Sequence, residues 1–194
     1  ASISNNQILL SNFFQRVTAL LAFSMLSFQI ILGAFMTRFT EKLGGWALKF
    51  HLFQGAVIYS LVILHPLLFV LVNFKTKGII DPFYVFTQFC VLCSSRQELW
   101  YTFGRVSFWL ITLAVVAAKL RSQSWWRVHW RKFHILNYFT FFLIATHAWF
   151  SGTDIMQPPI VIVYFLALII VSVTVIYKLY PLVKNFFQDL RSIK

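Results

Sequence analysis

The chain has 194 residues, enough for one domain or two small ones. It is 59% hydrophobic and only 11% charged, against about 25% charged in soluble domains, which excludes a water-soluble fold, a disordered chain and a collagen-like or low-complexity polymer. A net charge of +12 would point to nucleic acid in a soluble protein, but in so apolar a chain it reads as cytoplasmic loop charge and contact with anionic membrane lipid, with no nucleic-acid partner.

Residues 1–12 are polar and rich in Ser and Asn. They lack the basic start of a signal peptide and read as an extracytoplasmic N-terminal segment. A spanning helix needs about 20 mainly apolar residues. Five stretches qualify: residues 13–39, 50–74, 101–118, 133–149 and 159–177. Between the second and third, residues 75–100 hold an apolar run from Pro82 to Cys93 that is too short to span and is predicted as an interfacial helix. The expected fold is an all-α integral membrane bundle of about five transmembrane helices plus that short interfacial helix. Its domain covers residues 13–180, and residues 181–194 form a cytoplasmic tail.

Five crossings distribute the loops on two sides. One side carries Arg16, Lys75, Lys77, Arg96 and Arg105; the other carries the remaining twelve of the 17 basic residues, including Arg191 and Lys194. The positive-inside rule then places the C-terminus in the cytoplasm and the N-terminus outside. The expected location is the inner or plasma membrane of the cell.

Four of the five histidines fall in or at the edges of two predicted spans: His51 and His65 in the second, His134 and His147 in the fourth. A lone membrane histidine is often only a hydrogen-bonding residue between helices. Two pairs carry more weight. Their separations of 14 and 13 residues correspond to axial gaps of about 21 and 20 Å. The two spans run in the same direction, so His51 and His134 share one level and His65 and His147 the other. Imidazole is a common ligand of iron and other transition metals. Two such levels suit two b-type haems, because haem iron takes axial histidine. A bare zinc ion would call for three or four ligands at one level, and the spans carry no carboxylate for a proton relay. The helical phase is uneven: His51 and His65 lie about 40° apart around their helix, but His134 and His147 about 140°. Either the fourth span tightens locally into 3₁₀ helix, or its two rings face different sides.

The run Lys49-Phe-His51-Leu-Phe-Gln-Gly55 followed by His65-Pro66, and the run His129-Trp130-Arg-Lys-Phe133-His134 followed by His147, resemble the ferric reductase-like transmembrane domain. That family includes the haem domains of NADPH oxidases and ferric-chelate reductases, and the membrane haem subunit of the periplasmic methionine-sulfoxide reductase system. The resemblance covers residues 13–177. It implies two haem b groups, with His51 and His134 on the inner one and His65 and His147 on the outer one. Family members commonly have six spans and an internal N-terminus, where five and an external one are expected here. Many continue into flavin and nicotinamide domains; this sequence has no Gly-rich dinucleotide motif. The expected electron donor is therefore another protein, a quinol or a reduced flavin on the cytoplasmic side, and the acceptor a protein or small oxidant outside.

Haem propionates need cationic partners. Arg38, Lys49, Arg127 and Arg131 are candidates at the inner level, and Arg105 and Arg96 at the outer. Phe139, Phe141 and Phe142 lie between the two histidines of the fourth span, as filling between haems or as plain core. His129 reads as a surface residue, and Trp46, Trp100, Trp125, Trp126 and Trp130 as an interface belt. Cys90 and Cys93 form a C-x-x-C, either a disulfide or redox pair or two buried thiols. The leading function is a dihaem electron conduit, an oxidoreductase component. The alternatives are a membrane anchor holding haem structurally within a larger complex, or a small histidine-based transporter, against which the scarcity of Gly and Pro in mid-span argues.

Overall fold

The structure, a computed structural model, describes the backbone of residues 5–93 and 95–192, and the side chains of all of these except 182, 183 and 185–192. Residues 1–4, Lys194 and the side chain of Arg191 lie outside the described residues. The described residues fold into helices joined by turns: α1 (Asn5–Ala34), α2 (Met36–Leu43), α3 (Trp46–Lys77), α4 (Tyr84–Thr87), α5 (Arg96–Lys119), α6 (Ser124–Ser151) and α7 (Ile160–Ser192). Four of them are long and apolar enough to cross a membrane: α1, α3, α5 and the part of α7 from Ile160 to Pro181. The chain is thus an all-α membrane protein. The fourth expected span lies in α6, whose 28 residues give about 42 Å of length. Its apolarity is diluted by Arg127, Arg131 and Lys132 at one end and by His134, Asn137 and His147 further on.

Side-chain contacts fix the register. Gln29 donates to the His51 carbonyl (2.9 Å), Gln54 to the Met25 carbonyl (3.2 Å) and Lys75 to the Ser11 hydroxyl (2.8 Å), so α1 and α3 are antiparallel. The hydroxyls of Tyr59 on α3 and Thr112 on α5 meet at 3.3 Å. Phe69 and Tyr101 meet further along the same two helices, at 5.8 Å. Arg16 pairs with Asp154 just before α7, and Arg38 reaches the Tyr177 hydroxyl (3.4 Å). The long helices α1, α3, α5, α6 and α7 therefore alternate in direction. One end of the bundle gathers Arg16, His65, Trp100, His147 and Asp154; the other gathers Arg38, His51, Trp130, His134 and Tyr177.

The core is where these helices converge. Phe23 of α1 stacks on Phe141 of α6 and on Tyr164 of α7, each at 5.4 Å and 19°. Ile58, Ile111 and Val171 complete it. Ser107, Ala114 and Ala117 of α5 and Thr140 and Ala145 of α6 are buried, and such small residues let two helices approach closely. Outward faces are apolar: Phe53, Leu64, Ile162, Ile169 and Val173 are exposed. A continuous apolar surface of this kind belongs against lipid.

The termini of the elements follow local chemistry. Ser95 caps α5 by accepting from the Gln97 amide (3.3 Å). Gly44 (φ 63°) ends α2 and Gly78 (φ 71°) ends α3, where a side chain would be strained. Among the described residues between α3 and α5 only the four of α4 are helical, and Cys90 and Cys93 are joined as a disulfide. At the N-terminus α1 already starts at Asn5, inside the polar segment, with the Ser11 hydroxyl satisfied by the Gln7 carbonyl. At the other end α7 runs on through Pro181.

Candidate functional site

The structure brings the four span histidines together two by two. His51 of α3 and His134 of α6 face each other with ring centres 6.2 Å apart and planes inclined by 68°. At the other end His65 and His147 line one cavity of about 520 Å³, a size in the range of small-molecule and cofactor pockets. The levels expected from the 14- and 13-residue spacings are the levels observed. The phase mismatch in α6 is met without tightening, since α6 is α-helical throughout. His134 turns toward α3, while His147 turns toward α5, where its Nδ1 lies 2.8 Å from the Trp100 carbonyl.

The hydrogen bonds of the cavity pair set their chemistry. His65 Nδ1 lies 3.0 Å from the Gln15 carbonyl and, more distantly, 3.4 Å from the Gln15 side-chain nitrogen. A carbonyl only accepts, so donation from Nδ1 to the nearer oxygen, in both rings, leaves a lone pair on Nε2. This is the arrangement that fixes a histidine as a metal ligand. In the His51/His134 pair, Nδ1 of both rings is buried without a partner, leaving both rings free to serve a shared ligand. Among the described residues no three His, Cys, Asp or Glu side chains gather into a metal-holding group, so the donor sets are pairs.

Two glycines hold the rings in place. A β-carbon on Gly33 would lie 3.2 Å from His51 Cε1, and one on Gly104 would lie 2.9 Å from His147 Cε1 and 3.0 Å from its Nδ1. Gln29 adds a clamp on the His51 carbonyl. None of these follows from the histidine pattern; the available signal is a glycine inside an otherwise bulky spanning helix.

The candidate cations are placed unequally. Arg105 is 4% exposed and lines the cavity, but its guanidinium is engaged by the Gln88 carbonyl, Glu98 (3.3 Å) and the Tyr84 ring (4.6 Å). Arg16, not singled out from the sequence as a site residue, also lines the cavity and is bridged to Asp154 at 2.8 Å. Arg38, Lys49, Arg127 and Arg131 are all exposed at the His51/His134 end; Arg38 lies over Phe35 and Arg131 over Trp130. Arg96 starts α5, away from the cavity lining.

The remaining aromatic candidates divide. Phe141 is fully buried in the core, whereas Phe139 is 58% exposed on the outer face of α6. His129 stacks on Trp125 (4.3 Å, 21°) and bonds its carbonyl, apart from His134.

No family model, no curated protein and no solved structure matches the chain.

Proposed function

We propose that the chain is a dihaem b-type transmembrane electron-transfer protein of the ferric reductase-like kind. In this reading α6 is the fifth crossing, the C-terminus is cytoplasmic, and the membrane is the inner or plasma membrane. Electrons from a cytoplasmic-side protein, quinol or reduced flavin arrive at the His51/His134 pair and leave from the His65/His147 pair to a protein or small oxidant outside. The observation that carries the reading is the pairing of imidazoles from α3 and α6 at two depths.

Haem bound at each pair would supply reversible one-electron chemistry at iron. The residues of the chain do the rest. His51 and His134 would hold one group and His65 and His147 the other. Gln15 and Trp100, through their carbonyls, favour the Nδ1–H tautomer in the second pair, which leaves Nε2 free to ligate. Gly33 and Gly104 leave room for the rings to hold their angles. Phe69, Phe108 and Ile111 line the cavity with apolar surface, which excludes water and favours the less charged redox state. Arg16 and Arg105 also line the cavity, each already paired with a carboxylate, Asp154 and Glu98.

Transfer across sealed vesicles tests this. With reduced flavin trapped inside and ferricyanide outside, the native chain is expected to consume ferricyanide, and His51→Ala or His65→Ala to abolish the consumption. Equal rates in native and variant chains would refute the reading.

A further inference from the structure

The segment between α3 and α5 lies alongside α5 rather than above it. The Phe86 carbonyl accepts from the Trp109 indole (2.8 Å), and the Phe86 ring meets Phe108 at 4.8 Å. The Gln88 carbonyl accepts from Arg105, and the Cys90 amide donates to the Thr102 hydroxyl (3.0 Å). Going from Phe86 to Cys90, the chain climbs α5 from residue 109 to residue 102. Trp109 is 13 residues into α5, about 20 Å from its start. The apolar stretch of α5 from Trp100 to Ala118 is about 28 Å long, just enough for a hydrocarbon core of about 30 Å. The contacts at residues 102–109 therefore fall within that core.

Irregular backbone survives at such depth only when its polar groups are satisfied by protein. Three of them are met here by side chains of α5: Trp109, Arg105 and Thr102. Asp81 accepts from the Tyr84 amide (3.0 Å) and so closes the start of α4. The opposite face is apolar and open. Phe83 is 72% exposed, Phe89 51%, Val91 78% and Leu92 99%. That face continues the exposed apolar surface of α5 at Trp109.

We propose that residues 82–93 form a re-entrant segment in the half of the bilayer that holds the His65/His147 cavity, bound to α5 on one face and to lipid acyl chains through Phe83 and Phe89 on the other, with Val91 and Leu92 returning to the interface. The Cys90–Cys93 disulfide closes the ring whose tip is Val91-Leu92, and Tyr84 and Val85 make the segment a wall of the cavity. This does not rest on haem being present.

The test is depth measurement in bilayers. The two cysteines of the chain are bonded to each other, so a nitroxide can be placed on Phe83→Cys alone, with Leu64→Cys on the outer face of α3 and Lys77→Cys at its end as references. The Phe83 label is expected to be relaxed by oxygen and shielded from a water-soluble nickel chelate, as at Leu64. Nickel accessibility like that at Lys77 overturns the proposal. A measurement on the unaltered chain stands beside it. Lipids with a photoreactive group on the acyl chain are expected to label peptides covering residues 83–89, and labelling of α7 without that segment would equally overturn it. Haem content, read separately, reports on the proposed function and not on this.

Discussion

Gly104 of α5 sits directly against the imidazole of His147 on α6, so close that a β-carbon would approach the ring to 2.9 Å. Real β-carbon contacts are not that short, and the ring cannot step aside without losing its bond to the Trp100 carbonyl. Gly104→Ala is therefore expected to turn His147 and to lower bound haem from two per chain to one. Gly33→Ala, with 3.2 Å to His51, is expected to act in the same direction and more weakly. Haem-to-protein ratios of the purified variants check both.

Arg105 and Arg16 each form an ion pair in the same cavity wall, but their surroundings differ. Arg105 is 4% exposed and Glu98 31%, whereas Arg16 and Asp154 are 39% and 31% exposed. Removing one partner of a buried pair costs about 3 kcal/mol, and an exposed pair is worth about 1 kcal/mol or less. Arg105→Ala is expected to lower stability markedly, also releasing the Gln88 carbonyl and the Tyr84 ring, while Asp154→Asn stays near the native value. Denaturant unfolding in detergent separates the two.

Phe141 and Phe139 are two residues apart on α6 and face opposite environments. Phe141 is fully buried against Phe23, and Phe139 is 58% exposed. Phe141→Ala opens a cavity and is expected to cost about 3 kcal/mol. Phe139→Ala only trades ring for lipid contact and is expected to change stability by about 0.5 kcal/mol or less. The same unfolding measurement reads both.

Much of this architecture is written in local pattern. Apolar runs locate the helices because a bilayer demands about 20 such residues in a row, and the 14- and 13-residue histidine steps give the two levels because rise per residue is constant along a helix. The direction in which His134 and His147 point is not local: it depends on α3 lying beside one ring and α5 beside the other. The course of residues 82–93 is likewise set by side chains of α5 many residues away; the interfacial helix expected in this stretch corresponds to the four helical residues of α4. The same holds for Arg105. Its charge and position suggest a propionate partner, whereas its guanidinium is engaged by Glu98, seven residues back on the same helix, and by the Gln88 carbonyl, which reaches it only once the segment is folded against α5.

His51 and His65 belong to different pairs, so their loss is expected to be separable. His51→Ala should leave the Gln15–His65 and Trp100–His147 bonds untouched, and the group retained by the variant should be the one at the cavity. Optical and low-temperature magnetic spectra of His51→Ala and His65→Ala are expected to show two different single haems rather than the same one.

The most direct test is the haem count of the native chain. A pyridine haemochrome assay on purified protein, set against its amino-acid content, is expected to return two b-type haems per chain. A count of zero would contradict the claim that the paired imidazoles hold iron, and a count of one would contradict the two-level route.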